Sequence, residues 1–280
     1  MVDIKQQRWF EKPVREARGR LFRRFVVRTH LVRPGEHLEK SLAGYLMPGI
    51  EDGDIIVLGE KIVAIAEGRA VTLSSVRPRP LARFLAARVR PLGYGLGLRR
   101  PETMEMALRE AGAVRILVAA LAGALDRVRR RSGSFYRVAG RRVAAIDGPG
   151  PTTIPPYDQY IVLAPERPFS VIAALSRRLG CSVAVVDVND IGSEVLASSP
   201  GTDVGLVREL MRDNPMGQGA QGTPVAVLRL AGVGHPIREW PLTQNWGSGG
   251  WMTPVAGVGD AGLRLTFSTT AAARSRVGPD

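Results

Sequence analysis

The sequence contains few of the residues that build two common classes of functional or structural site. Cysteine occurs once, as Cys181, so no disulfide can form within the chain and a disulfide-stabilised secreted domain is excluded. Cys181 opens an apolar run, which predicts a small buried side chain rather than a nucleophile. The three histidines, His30, His37 and His235, lack the spacing of metal ligands. An imidazole zinc site is therefore not expected.

Long apolar runs are also missing. No run approaches the roughly 20 residues that a membrane span requires. The first twenty residues are too polar for the apolar core of a secretory signal. These absences predict a cytoplasmic protein with no membrane partner. The chain also lacks the GxxxxGK[ST] string of the Walker phosphate loop, so a nucleotide would have to bind in another way.

Lysine is scarce, whereas arginine is abundant. The formal net charge is +13, and only four of the 39 basic residues are lysines. Such an excess is compatible with nucleic-acid or phosphate binding, or with a general preference for arginine codons. The basic residues are spread along the chain and are not interleaved with the aromatics that single-strand binders use for stacking. We therefore expect no nucleic-acid partner.

The order of periodic segments predicts an α+β or mixed α/β fold. We expect an N-terminal arm or loose helix over 1–20, one domain over 21–230, and a Gly-, Pro- and Trp-containing extension over 231–280 that is partly disordered. Helices are predicted over 36–46, 80–90, 101–111 and 169–179, and 114–131 begins like a strand and ends like a helix. Strands are predicted over 25–32, 55–58, 62–66, 160–165 and 181–187, with a hairpin over 134–147.

Acidic residues follow two of the predicted strands. Asp147 ends the first string, AAID, and Asp187 ends the second, VAVVD, with Asn189 and Asp190 just beyond. Proteins with α/β folds bind ligands at the carboxyl edge of the sheet. Carboxylate and amide oxygens converging there predict a site for Mg²⁺ or Mn²⁺. The alternative is that both aspartates only cap turns.

The string GEKIVAIAEGR places four charges around a short apolar run. Lys61 could hold a polyphosphate as a point charge and Arg69 as a planar fork, with Glu60 and Glu67 beside them. The alternative is that these are solvated charges at the ends of a strand.

The string DNPMGQGAQGTP is rich in glycine. Backbone amides around Asp213, Asn214 and Gly217 could cradle a phosphate. The alternative is an ordinary glycine-rich surface loop.

Taken together, these segments resemble a known family. In order along the chain they read GDIIVLGEKIVAIAEGR, FYRVAGRRVAAIDGP, YIVLAPERP, VAVVDVNDIG and DNPMGQG. The series, from about Arg24 to Arg229, resembles the coenzyme F-420-0:L-glutamate ligases, especially a bacterial branch with an Asp-x-Asn-Asp string. The resemblance implies an α/β fold of unusual topology, a homodimer, and GTP-dependent, metal-assisted amide-bond formation through an acyl phosphate.

The resemblance also implies roles for single residues. Asp147 and Asp187 match metal-binding aspartates of the family, with Asn189 and Asp190 beside the second. Lys61, Glu67 and Arg69 match its lysine and Glu-Gly-Arg string and would act on an anionic substrate. The turn that holds Asp213, Asn214 and Gly217 falls where the family has an Asp-x-x-Gly turn, which implies nucleotide contact.

The sequence departs from the family pattern after both aspartates. Gly148-Pro149-Gly150 follows the first, and Val188 with Asn189 follows the second, where the family has other residues. These departures affect the nucleotide and acceptor side of the expected site. They leave open the alternative of a non-catalytic relative that binds a nucleotide or an anionic metabolite.

Overall fold

The protein is described here by a computed structural model over residues 8–89, 97–129, 133–150, 153–189, 192–217 and 219–232. Asp190, one of the predicted metal ligands, lies outside these ranges. Residues 233–280 of the predicted C-terminal extension also lie outside them, so that the extension and the domain boundaries remain predictions.

Two sheets contain the described strands. The larger is six-stranded in the order β1-β2-β8-β3-β6-β7, and the smaller pairs β4 with β5. The strands are β1 Trp9–Ala17, β2 Arg20–Val27, β3 Ile55–Gly59, β4 Ala70–Thr72, β5 Tyr160–Val162, β6 Ser182–Asn189, β7 Gly192–Ser198 and β8 Val225–Leu230. Neighbours in the larger sheet are antiparallel, except that β3 and β6 run parallel.

Helices cover the larger sheet and form a layer beside it. They are α1 Leu38–Ser41, α2 Ala43–Leu46, α3 Glu60–Ala66, α4 Pro80–Ala86, α5 Pro101–Ala111, α6 Ala113–Val128, α7 Ser134–Ala139, α8 Arg141–Ala144, α9 Pro168–Leu179 and α10 Val204–Met211. Short 3₁₀ turns occur at Leu73–Ser75, Gly97–Arg99 and Tyr157–Gln159.

The central strands alternate between two apolar layers. Ile56 and Leu58 of β3 pack on the side of α1, α2 and α9, whereas Val57 between them packs on the side of α10. Successive side chains of a strand point to opposite faces, and both faces of this sheet are covered. That is why β3 and β6 are continuous runs of apolar residues without polar alternation. A third apolar cluster lies among α4 to α8.

The mixed fold is as predicted, and several elements are confirmed. Helices α4, α5 and α9 and strands β3, β5 and β6 occur within or close to their predicted ranges. Gly180, with φ of +70°, ends α9 in the left-handed conformation that glycine adopts readily. Cys181 is buried, and burial raises the pKa of its thiol. In the part of the chain that the structure describes, no helix is long and apolar enough to cross a membrane.

The N-terminal arm was predicted wrongly. Residues Trp9–Ala17 form the edge strand β1, paired antiparallel with β2. The many charged residues of β1 mask the alternation of apolar and polar residues that would predict a strand. One of these charges pairs across to β2, where Arg23 Nε donates to Glu11 Oε1 at 2.7 Å. A register shift between Lys12 and Arg15 accommodates Pro13, as edge strands allow.

Three β-rich segments proved to be helices. Residues 62–66 lie in α3, all of 113–128 is α6, and the expected hairpin over 134–147 is replaced by α7 and α8. Ile62 to Ala66 are all buried, so no polar face reveals the helical period. Helix α7 packs against α6, and Asp126 accepts hydrogen bonds from Ser134 N and Oγ at 2.8 Å. Tertiary contacts therefore override the β propensity of Phe135, Tyr136 and Val138.

Candidate functional site

A cavity of about 360 Å³ opens at the carboxyl end of the parallel pair β3 and β6. Its walls come from the ends of these two strands, the start of α3, the segment 29–32 after β2, the bridge residue Asp147, the turn around Tyr157, and the loop 214–224 before β8. A parallel pair brings its two carboxyl ends to one edge of a sheet, which is where α/β folds bind ligands.

Two carboxylates meet at this edge because of strand register. Gly59, the last residue of β3, pairs with Val186 of β6, so Glu60 at the start of α3 and Asp187 on β6 are the next residues beyond this pair. Burial, together with the nearby Asp187 carboxylate, raises the pKa of Glu60 to about 8. Burial also raises the pKa of Asp187, with Lys61 opposing the shift and Glu194 and Asp147 adding to it. Glu60 Oε2 is buried and has no hydrogen-bond partner among the described residues.

A third carboxylate, Asp147, lines the same cavity and forms an ion pair with Lys61. Asp147 is held by a backbone bridge, because its N donates to Val162 O at 2.8 Å and its O accepts from Val162 N at 2.9 Å. Desolvation would lower the pKa of the half-exposed Lys61 ammonium, but Asp147, with Glu60 and Asp187 adding to it, outweighs this effect and the pKa is raised. Lys61 therefore remains a cation beside the Asp147 carboxylate.

The glycine-rich loop forms the opposite wall. Asn214 is buried with φ of +46°, and its Nδ2 has no hydrogen-bond partner among the described residues. Gly217 has φ of +83°, and a Cβ there would lie 2.9 Å from the Gln221 carboxamide, so only glycine fits without displacement. The loop thus presents backbone and a side-chain amide to the cavity.

The remaining wall is apolar and aromatic. Ile62 and Ile65 of α3 lie with Tyr157 and Tyr160, whose rings are 5.3 Å apart edge to face. His30 lies at the same cavity, with Nε2 2.8 Å from Glu36 Oε1 and Nδ1 3.0 Å from the Tyr45 hydroxyl. A flat ring system and an anionic group could therefore occupy neighbouring parts of the cavity.

The donor chemistry of Glu60, Asp147 and Asp187 fits a hard divalent cation, since all three offer carboxylate oxygens and one oxygen of Glu60 is buried without a partner. They do not yet form a coordination shell. Among the described residues, no three His, Cys, Asp or Glu side chains are grouped closely enough to hold a metal ion. Binding would require the Lys61–Asp147 ion pair or the Glu60 side chain to rearrange.

Glu67 and Arg69, expected at the site, do not line this cavity. The Glu67 carboxylate accepts from the backbone N of Glu166 at 2.5 Å and of Arg167 at 3.0 Å. Arg69 forms ion pairs with Glu110 at 2.8 Å and Glu166 at 2.7 Å. Both follow α3, whose seven residues carry them away from the cavity, and both tie the small sheet to its surroundings.

Asp213 and Asn189 also lie elsewhere. The Asp213 carboxylate accepts from the buried Arg24 at 2.5 and 3.0 Å and pairs with Arg15 at 2.8 Å, so it joins the end of α10 to β1 and β2. Asn189 is the last residue of β6, where its Oδ1 accepts from Gly192 N of β7 at 3.2 Å. Of the predicted residues, the structure brings Lys61, Asp147, Asp187, Asn214 and Gly217 together.

Glu60 is the main residue that the sequence prediction left out of the site. It follows a buried apolar run directly, just as Asp187 ends one. The same reasoning that selected Asp187 therefore applied to Glu60. What the sequence could not provide was the parallel pairing of these two strands.

Comparison with known proteins identifies the family of the chain. The model of the family F420-0:Gamma-glutamyl ligase matches residues 26–190. The range includes Glu60, Lys61, Asp147 and Asp187, and ends before the loop that holds Asn214 and Gly217. The chain is also 27% identical, over 180 residues, to the coenzyme F420:L-glutamate ligase of Methanopyrus kandleri. That match covers 62% of this chain and 61% of the relative's length. Because the family model matches more than half of its residues, the chain belongs to the F420-0:gamma-glutamyl ligase family.

Proposed function

We propose that the protein is a carboxylate–amine ligase that adds L-glutamate to coenzyme F-420-0, with GTP as co-substrate and Mg²⁺ or Mn²⁺ as cofactor. The observation that carries the proposal is the convergence of Glu60, Lys61, Asp147 and Asp187 on one cavity at the carboxyl edge of the sheet. Membership of the ligase family supports the same reaction.

The proposed reaction has two steps. An acceptor carboxylate oxygen attacks the terminal phosphorus of GTP, which breaks the bond to GDP and forms an acyl phosphate. The glutamate amine then attacks the acyl carbon, so that an amide bond forms, phosphate leaves and the amine loses a proton. Phosphoryl transfer depends on positioning and charge neutralisation more than on covalent help from the protein.

Asp147 and Asp187 would hold the metal, which when bound supplies positive charge against the phosphate oxygens. Lys61 is a cation beside them and would contact the transferring phosphate as a point charge. Asn214 Nδ2 is a buried donor without a partner among the described residues and would bind a carbonyl or phosphate oxygen. The aromatic wall of Tyr157 and Tyr160 would take the flat deazaflavin ring.

The test is ligation by the full chain with coenzyme F-420-0, GTP, L-glutamate and MnCl₂ or MgCl₂. The expected result is a mass increase of one glutamyl unit, with one GDP formed per amide bond, and no product when GTP or the metal salt is omitted. Full product formation by both Asp147→Asn and Asp187→Asn would overturn the proposed mechanism.

A non-catalytic relative is the second candidate. The observation that favours it is the ion pair that already engages the Asp147 carboxylate, together with the lack of a formed metal cluster among the described residues. A non-catalytic protein would bind GTP at equilibrium without GDP formation, whichever acceptor is supplied.

We also propose that two copies associate through α6. The exposed apolar residues of α6 are spaced alternately four and three residues apart, which is the spacing found where two helices pack along each other. These residues, each at least half exposed, are Val114, Val118, Leu121, Leu125 and Val128. A two-fold axis would pair this stripe with itself and cover it. Sedimentation equilibrium is expected to give a dimer for the natural chain and a monomer for Leu121→Glu; a monomeric natural chain would exclude this association.

A further inference from the structure

A second cavity, of about 580 Å³, adjoins the candidate site. Glu60 and Asp187 line both cavities, so that these two carboxylates form a shared wall. The other walls of the second cavity are helix α8, the segment 164–169 before and at the start of α9, and two side chains of β7. Neither Lys61 nor the glycine-rich loop lines it.

The lining of the second cavity carries both signs of charge. Arg141, Arg142 and Arg167 supply guanidinium groups. Glu194, on β7, pairs with Arg141 at 3.0 Å, and both side chains are more than half exposed. Both charges of this pair are therefore solvated enough to exchange partners for a ligand at small cost.

The shared wall is the buried end of the cavity. Glu60 is 8% exposed, and its Oε2 has no hydrogen-bond partner among the described residues. A buried acceptor without a donor loses free energy that a ligand donor would restore. The second cavity therefore has a buried acceptor without a partner among the described residues, Glu60 Oε2, and arginine side chains in its more exposed part.

We propose that this second cavity binds the amino-acid substrate, with its ammonium group against Glu60 and its two carboxylates against Arg141 and Arg167. The inference rests on the proposed function, which supplies L-glutamate as the amine. A dicarboxylic amino acid carries one cation and two anions, and the lining is complementary to that pattern. Arginine forks hold carboxylates in a fixed orientation.

This arrangement separates the two substrates. The acceptor and nucleotide would enter the first cavity, and the amine would reach the shared wall from the opposite side. The amine nitrogen would then lie beside the carboxylates that face the activated acyl group. Orientation of this kind contributes to catalysis without any further reactive residue.

The test uses the full chain and three variants. Arg141→Gln and Arg167→Gln remove one lining charge each, and Arg178→Gln on the exposed side of α9 removes the same charge outside the cavity. The KM values for L-glutamate, GTP and the acceptor are measured separately. Equilibrium dialysis with radiolabelled L-glutamate measures binding directly, and thermal unfolding confirms that each variant is folded.

The expected result is a rise of about tenfold in the KM and Kd for L-glutamate in both cavity variants, as for loss of a charge-assisted hydrogen bond. The KM values for GTP and the acceptor should change less than about twofold, and Arg178→Gln should behave like the natural chain. Glycine, which lacks the second carboxylate, should bind the natural chain more weakly than L-glutamate does, and only the variant without the arginine that holds its single carboxylate should bind it more weakly still.

Two outcomes would overturn the inference. One is an unchanged L-glutamate affinity in both cavity variants while ligation continues, which would leave the proposed function intact. The other is a selective rise in the KM for GTP, which would assign this cavity to the nucleotide. If no ligation occurs with any acceptor, the proposed function fails, but loss of L-glutamate binding in Arg141→Gln and Arg167→Gln would still support the cavity.

Discussion

Buried carboxylates near the cavity and away from it differ in their hydrogen-bond partners. Away from the cavity, Asp54 accepts from Arg229 at 2.7 and 2.8 Å, and Glu105 accepts from Arg79 and Arg109 at 3.0 and 3.1 Å. At the cavity, Glu60 leaves one oxygen without a partner among the described residues. In a chain this rich in arginine, the unpaired carboxylate identifies the functional edge of the sheet.

The same contrast affects proton binding. Burial would raise the pKa of Glu105, but its hydrogen bonds from Arg79 outweigh burial and the pKa is lowered. For Glu60, burial and the Asp187 carboxylate act together and the pKa rises to about 8. Part of the arginine excess is therefore structural, because guanidinium groups keep buried carboxylates ionised in the fold.

The largest effect is expected when the cavity carboxylates are neutralised. Asp187→Asn should lower kcat/KM for ligation by about 10²–10³-fold, because it removes charge that positions the transferring group. Asp52→Asn, at an exposed turn, is the matched control and should keep full activity. Steady-state kinetics and circular dichroism measure the two effects. An equal loss in both variants would contradict the special role of the cavity.

The second-largest effect is expected when a buried carboxylate away from the cavity loses its arginine, as Asp54 does in Arg229→Met. Removing the guanidinium leaves Asp54 buried without its cation, so the free energy of unfolding should fall by about 3 kcal/mol. The exposed pair Arg18 and Asp203 is the control, and Arg18→Gln should change stability by less than about 1 kcal/mol. Urea unfolding measures both. If both variants lost only a little unfolding free energy, the buried pair would be no more stabilising than the exposed pair.

Glu60, the cavity residue with an unpaired oxygen, should make the free energy of unfolding depend on pH with a sign opposite to that of most carboxylates. The pKa of Glu60 is about 8 in the folded chain, against an ordinary value of 4.5. Between these values the folded state holds a proton that the unfolded state has lost, so stability falls as pH rises.

Glu60→Gln should remove this loss. We expect the metal-free variant to exceed the natural chain in unfolding free energy by about 1–3 kcal/mol at pH 9 and to match it near pH 5. Urea unfolding at both pH values measures the difference. A constant difference at the two pH values would show that Glu60 does not titrate in this window.

The smallest effect is expected at a predicted ligand that lies outside the cavity. Asn189→Ala removes the hydrogen bond from Gly192 at a position that does not line the cavity, so kcat/KM should stay within about twofold. Titration with MnCl₂, followed by activity, should give the same midpoint as for the natural chain. A weaker midpoint would return Asn189 to the metal site.

Sequence reasoning succeeded where a local signal was strong. The buried runs of β3 and β6, the cap at Gly180, and Asp187 at the end of an apolar strand could each be recognised within a few residues. It failed for α3, α7 and α8, where short apolar segments carry no decisive period and packing selects the helix. Glu67 and Arg69 were misplaced at the site for the same reason, since a strand was expected where α3 turns away.

The sequence by itself determined the mixed fold class, the family resemblance and the residue types available for the site, because these depend on composition and on short ordered strings. Only the tertiary structure decided which of those residues meet. The parallel register of β3 with β6 places Glu60 beside Asp187, and the bridge to Val162 brings Asp147 to Lys61. Both contacts join distant parts of the chain, and contacts of that kind are fixed by strand pairing and core packing.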